Sequence, residues 1–228
     1  MYGYYGYGLY DPTMILVLIG AVLSLWASAK VKNTFNRYSS VRSMTGMTGA
    51  EAAKRLLQSQ GIYDVTVRPV RGQLTDHYDP RTKTVSLSED IYGRNSLAAV
   101  GVAAHECGHA IQDAINYAPL NIRSAIVPAA NIGSQLSWPL FIAGLIFSID
   151  PLVTLGIVLF SLAVLFQLVT LPVEINASSR ALKMLESTGI LGADEKKGAR
   201  KVLTAAALTY VAALAASILQ LLRLIILA

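Results

Sequence analysis

Apolar residues fall into four long runs separated by two charged blocks, and this pattern organises the whole chain. Met14 to Ala29 is uninterrupted but slightly short of the roughly 20 residues a helix needs to cross a bilayer core, and Thr13 or Leu9 extends it. A second run goes from about Ile132 to Ile149 and contains Trp138 and Pro139. Asp150-Pro151 then marks a tight turn, and Leu152 to Leu171 returns as the third span of a helical hairpin. Thr204 to Leu222 is the fourth, closed by Arg223.

The polar block after the first run carries shorter signals. Thr48 and Glu51 have capping-box spacing and open a helix over Gly49–Gln60 that Gly61 stops. Val65–Val70 and Leu74–His77 read as strands around an Arg71-Gly72 turn, and Thr84–Ser88 alternates polar and apolar residues as a third strand. A helix from about Ser96 to Ala114 follows, with Asn95 or Ser96 as its cap. The expected fold class is mainly α: a polytopic membrane protein with about four transmembrane helices and a small α+β cytoplasmic portion. The expected organisation is an amino-terminal segment and anchor (1–29), a cytoplasmic region (30–131), a transmembrane hairpin (132–171), a cytoplasmic helix (172–203) and a last span (204–228).

Composition agrees, with 54% hydrophobic and 14% charged residues, against about 25% charged in soluble domains. Eighteen of the 19 Lys and Arg lie in two blocks, Lys30 to Arg123 and Arg180 to Lys201. Basic flanks face the cytoplasm, so both blocks are expected there, at a bacterial inner membrane, with the termini and the Asp150-Pro151 turn outside. Topology and attraction to the anionic bilayer account for the net charge of +5 without a nucleic-acid partner. No Lys or Arg precedes Met14, which favours an uncleaved anchor over a secretory signal, and the Tyr/Gly run before it suits the headgroup region. The single cysteine, Cys107, excludes an internal disulfide and is expected to serve as a small packing residue.

The candidate chemistry lies in His105-Glu106-Cys107-Gly108-His109. On a helix, residues four apart share a face, so His105 and His109 can bind one Zn²⁺ while Glu106 serves as the base for a water that the metal activates. Strands followed by such a helix are the order of a zincin, in which an edge strand can hold an extended peptide. Peptide hydrolysis is the implied reaction, with one Zn²⁺ per chain and a protein or peptide as substrate. A third ligand is needed. Asp113 lies about 12 Å along the axis from His105, too far to share an ion with it. Glu174 is the better candidate, because the hairpin returns it to the interface from which the motif helix departs; a pairing with Arg180 or Lys183 is its alternative, and Glu89 and Asp90 are weaker rivals. His77, Tyr78 and Arg180 are candidates for stabilising charge on the attacked carbonyl oxygen.

The segments Ala103–Gln112 (AAHECGHAIQ), Val173–Leu182 (VEINASSRAL) and Leu74–Tyr92 (LTDHYDPRTKTVSLSEDIY), with the amino-terminal anchor, resemble the YugP-type neutral zinc metallopeptidases of bacterial membranes. The resemblance covers most of the chain and implies a membrane-bound zinc peptidase with His105 and His109 as ligands and Glu106 as catalytic acid/base. More distantly, Glu174 is similar to the glutamate of the EXXAD element in HtpX-type and CAAX prenyl metalloproteases. There it is the third ligand, while Ser178 stands at the aspartate position and leaves the partner of the first histidine open. Two other classes remain: a site-2-type intramembrane protease, disfavoured because Arg94 and Asp113 bracket the motif helix, and a noncatalytic zinc-stabilised scaffold, which would not need Glu106. Substrate sequence, oligomeric state and membrane-protein partners are not encoded in any motif.

Overall fold

Three of the four apolar runs lie within helices that continue beyond them, and the second ends at Ile149, two residues past its helix. The computed structural model describes residues 11–228, so the Tyr/Gly run before Asp11 lies outside the described residues. Among these, four helices are long and apolar enough to span a membrane: α1 (Met14–Ser39), α5 (Ala118–Phe147), α6 (Asp150–Ser187) and α7 (Ala193–Leu227). Between them lie α2 (Gly49–Ser59), β1 (Thr66–Val70), β2 (His77–Asp79), β3 (Thr84–Ser88), α3 (Glu89–Tyr92) and α4 (Leu97–Ala114). The chain is thus a mainly α membrane protein with a small α+β portion. The helix α6 contains both the third apolar run and Glu174, with Pro172 between them.

The chain forms two compact units. One comprises the described residues up to Trp26, with Ile126–Leu168 and Val211–Ala228. Many of its exposed side chains are large and apolar, among them Leu18, Ile146 and Phe147, as suits a lipid-facing surface. Small residues set its helix spacing: a Cβ added to Gly133 would stand 2.6 Å from the Leu159 carbonyl oxygen. Arg223 is neutralised by Asp11 at 2.8 Å.

The other unit, Ala27–Ala125 with Val169–Tyr210, holds the sheet, α2, α3 and α4. Thr48 and Glu51 form the reciprocal capping box of α2, and Gly61 takes the positive φ of 72° that ends it. Ser96 caps α4 through the Ala99 amide, a contact worth about 1 kcal/mol. Leu56 and Leu57 of α2, Val85 and Leu87 of β3, Ile91, and Val100 and Ala103 of α4 form the core with Leu185 of α6.

The strand pairing differs from the expected hairpin. The order is β1-β3-β2, with β1 parallel and β2 antiparallel to β3. β3 is buried at all five positions, and a strand covered on both faces belongs at the centre of its sheet. Leu74, expected to start a strand, has φ 55° and ends extended backbone there, so β2 begins at His77.

Candidate metal centre

The site forms where α4 crosses α6. Gly108 permits that crossing: a Cβ there would lie 2.5 Å from the Ala177 carbonyl oxygen, closer than any side chain allows. Fully buried Val173, Ala177 and Ala181 keep the facing side of α6 flat. Glu174 and Ser178, one turn apart on that face, therefore stand over His105 and His109, one turn apart on α4.

His105 Nε2 lies 3.2 Å and His109 Nε2 3.6 Å from the same atom, Glu174 Oε2, and one ligand atom from each residue fits within 4.8 Å of the others. Zinc with bonds of about 2.0–2.1 Å in a tetrahedral shell spaces its ligand atoms about 3.4 Å apart. Two imidazole nitrogens and one carboxylate oxygen at this spacing fit that ion. Glu174 is nearly sealed from solvent, and Arg123 Nη1 donates to its other oxygen at 3.2 Å. Burial alone would raise the Glu174 pKa, but the two histidines outweigh it and hold the carboxyl well below the usual range.

The outer nitrogens of both rings are also held. His105 Nδ1 is 3.1 Å from Ser178 Oγ, and His109 Nδ1 is 3.0 Å from Gln112 Oε1. The second contact fixes a tautomer. Gln112 Nε2 donates to the Val173 carbonyl at 2.9 Å and to Asn176 Oδ1 at 3.0 Å, and Arg180 Nε donates to that same Oδ1 at 2.7 Å. An arginine can only donate and a backbone carbonyl only accept, so both amides have one orientation. Gln112 Oε1 then accepts from His109 Nδ1–H, so the neutral ring turns its Nε2 lone pair toward Glu174 and the protonated ring turns an N–H there.

Glu106 is buried beside this cluster. Burial raises its pKa, while the charges of His105 and His109 act in the opposite direction. Cys107, on the same helix, is fully buried against the Ala53 carbonyl at 3.5 Å, and burial pushes its thiol pKa up, as expected of an inert packing residue.

Other expected site residues have different partners. His77 is exposed, its Nδ1 2.8 Å from the Thr75 carbonyl. Arg180 stacks over the Tyr117 ring at 5.9 Å and reaches the cluster only through Asn176 and Gln112. Tyr78 donates to Asp113 at 2.8 Å, and Lys83 pairs with the same carboxylate at 2.7 Å. Asp90 pairs loosely with Arg94. Arg123, rather than Arg180 or Lys183, is the cation on Glu174. The sequence reading missed Arg123, Gln112 and Tyr210, whose hydroxyl lies close enough to Glu174 to interact with it. The available signals were a cation just ahead of the second apolar run, an amide three residues past His109, and a tyrosine inside the fourth run.

Residues 13–228 match the family described as "Putative neutral zinc metallopeptidase". The chain is also 50% identical over 210 residues to "Putative membrane protease YugP" of Bacillus subtilis (strain 168), covering 92% of this chain and 93% of that protein. No solved structure matches.

Proposed function

The chain belongs to the neutral zinc metallopeptidase family, and from that premise we propose that it hydrolyses peptide bonds of membrane or unfolded proteins at the cytoplasmic face of a bacterial membrane, with one zinc per chain. The observation that carries the reading is the convergence of His105 Nε2 and His109 Nε2 on Glu174 Oε2 with Glu106 buried alongside.

In this reading His105, His109 and Glu174 hold the ion. Bound there, zinc supplies a Lewis acid that polarises a carbonyl and lowers the pKa of water to about 7. Glu106 takes the proton from the attacking water and passes it to the leaving amine. Gln112 and Ser178 keep each imidazole turned with Nε2 inward, and Arg180 holds the amide chain behind His109. Arg123 balances the charge of Glu174 from the far side. α4 belongs to the unit that carries the sheet and packs on α2, which favours a site beside the bilayer over one inside a span.

The test is peptidase activity of the full chain in detergent or proteoliposomes, assayed on an unfolded protein. Activity that a chelator removes and zinc restores, with about one zinc per chain, is expected. A purified chain that carries zinc yet cleaves neither unfolded nor membrane-protein substrates would leave a structural site instead.

A further inference from the structure

A cleft lies between α1 and α7, where the first apolar run ends and the fourth begins. Lys30, Asn33, Thr34, Arg37 and Tyr38 of α1 face Arg200, Lys201, Thr204, Ala205 and Leu208 of α7 across a cleft of about 600 Å³. Lys30, Thr34 and Arg37 recur at helical spacing, so the cleft is lined by one face of α1. Four of its side chains are cationic and none is acidic.

Those four cations are free of the pairing seen nearby. Lys196 is bound to Glu186, and Lys197 to Asp194 at 2.9 Å. One turn further along α7, Arg200 and Lys201 form no ion pair among the described residues, and neither do Lys30 and Arg37 across the cleft. Like charges gathered around one cavity repel, and an anion seated among them relieves that repulsion. Polarity is also graded: Arg200 and Lys201 lie on the side away from the fourth apolar run, whereas Ala205 and Leu208 lie inside it. Lys30 directly follows the first apolar run. A free phosphate would use only the cationic end. A ligand with an anionic head and a hydrocarbon tail uses both.

We propose that this cleft binds the phosphodiester headgroup of an anionic phospholipid, with Lys30, Arg37, Arg200 and Lys201 around the phosphate and an acyl chain leaving past Ala205 and Leu208. Basic pockets between helices at the membrane interface recognise headgroups in this way. The site is separate from the His105–His109–Glu174 cluster and does not depend on the peptidase reading.

The test is native mass spectrometry of the full chain in detergent with phosphatidylglycerol, phosphatidylcholine or inorganic phosphate added. Bound phosphatidylglycerol is expected to exceed phosphatidylcholine at least about tenfold, and millimolar inorganic phosphate is expected not to displace it. Arg37→Gln with Lys201→Gln, both at exposed positions, should bring that preference near unity. Lys54→Gln with Arg55→Gln, equal in charge change and exposed on α2, should leave it intact. An unchanged preference in the cleft variant, an equal loss in the α2 variant, or displacement by inorganic phosphate would each overturn the assignment.

Discussion

Ser178 Oγ lies 3.1 Å from His105 Nδ1, one helical turn beyond Glu174 on the same face of α6. One helix face therefore supplies both the carboxylate in front of the histidine pair and the partner behind His105. A hydroxyl performs there the orienting task that more often falls to a carboxylate. Ser178→Ala is expected to lower zinc affinity about tenfold, within the range for loss of such a partner. Ser178→Asp should retain or improve it. Competition against a chromophoric chelator measures both, and unchanged affinity in Ser178→Ala would remove the serine from the site.

The helix crossing rests on Gly108. An alanine Cβ would stand 2.5 Å from the Ala177 carbonyl oxygen, and backbone cannot yield as a side-chain tip can. Overpacking of this kind costs about 1–3 kcal/mol. Gly108→Ala should therefore lower the unfolding midpoint and, by separating α4 from α6, weaken zinc binding as well. Thermal unfolding with and without zinc reports both effects.

The parts of this fold that were legible in sequence are those governed by local rules. Apolar run length placed four helices, capping residues placed the start of α2 and α4, and i,i+4 spacing joined His105 to His109. Glu174 was accessible because the hairpin constrains where the chain returns. Strand partners were not legible: β1 pairs with β3 rather than β2 because β3 needs cover on both sides, which is a property of the packed unit. Arg123 was hidden for the same reason. Nothing local to it distinguishes it from Arg180, and only the fold decides which cation meets Glu174.

Metal-free and zinc-loaded protein should respond oppositely to pH. Burial disfavours a charged imidazole at His109, but the carboxylates of Glu174 and Glu106 outweigh it and raise its pKa. A raised folded-state value stabilises the metal-free fold fully below the unfolded value of about 6.5, and that contribution disappears as pH rises through the folded value. Glu174 is shifted downward, so its contribution is full above the unfolded carboxyl value of about 4.3 and is lost as pH falls below it towards the folded value. Zinc requires deprotonated ligands, so its contribution grows with pH. The unfolding midpoint of metal-free protein is expected to fall as pH rises above about 6.5, while the increment on adding zinc rises. An increment independent of pH contradicts this.

The proposed orientation predicts a labelling pattern. With Cys107→Ala as background, single cysteines at exposed Ser59 and Asp194 should resist an impermeant thiol reagent added to intact cells, and one at exposed Asp150 should react. The reverse pattern would place the site on the outer face and exported proteins among its substrates.

In the proposed reaction Glu106 moves protons without holding the metal, and one variant measured two ways tests this. Glu106→Gln should keep about one zinc per chain while peptidase activity falls by roughly 10²–10⁴, the usual contribution of general acid–base catalysis. Full activity in that variant, or loss of zinc together with activity, would remove Glu106 from that role.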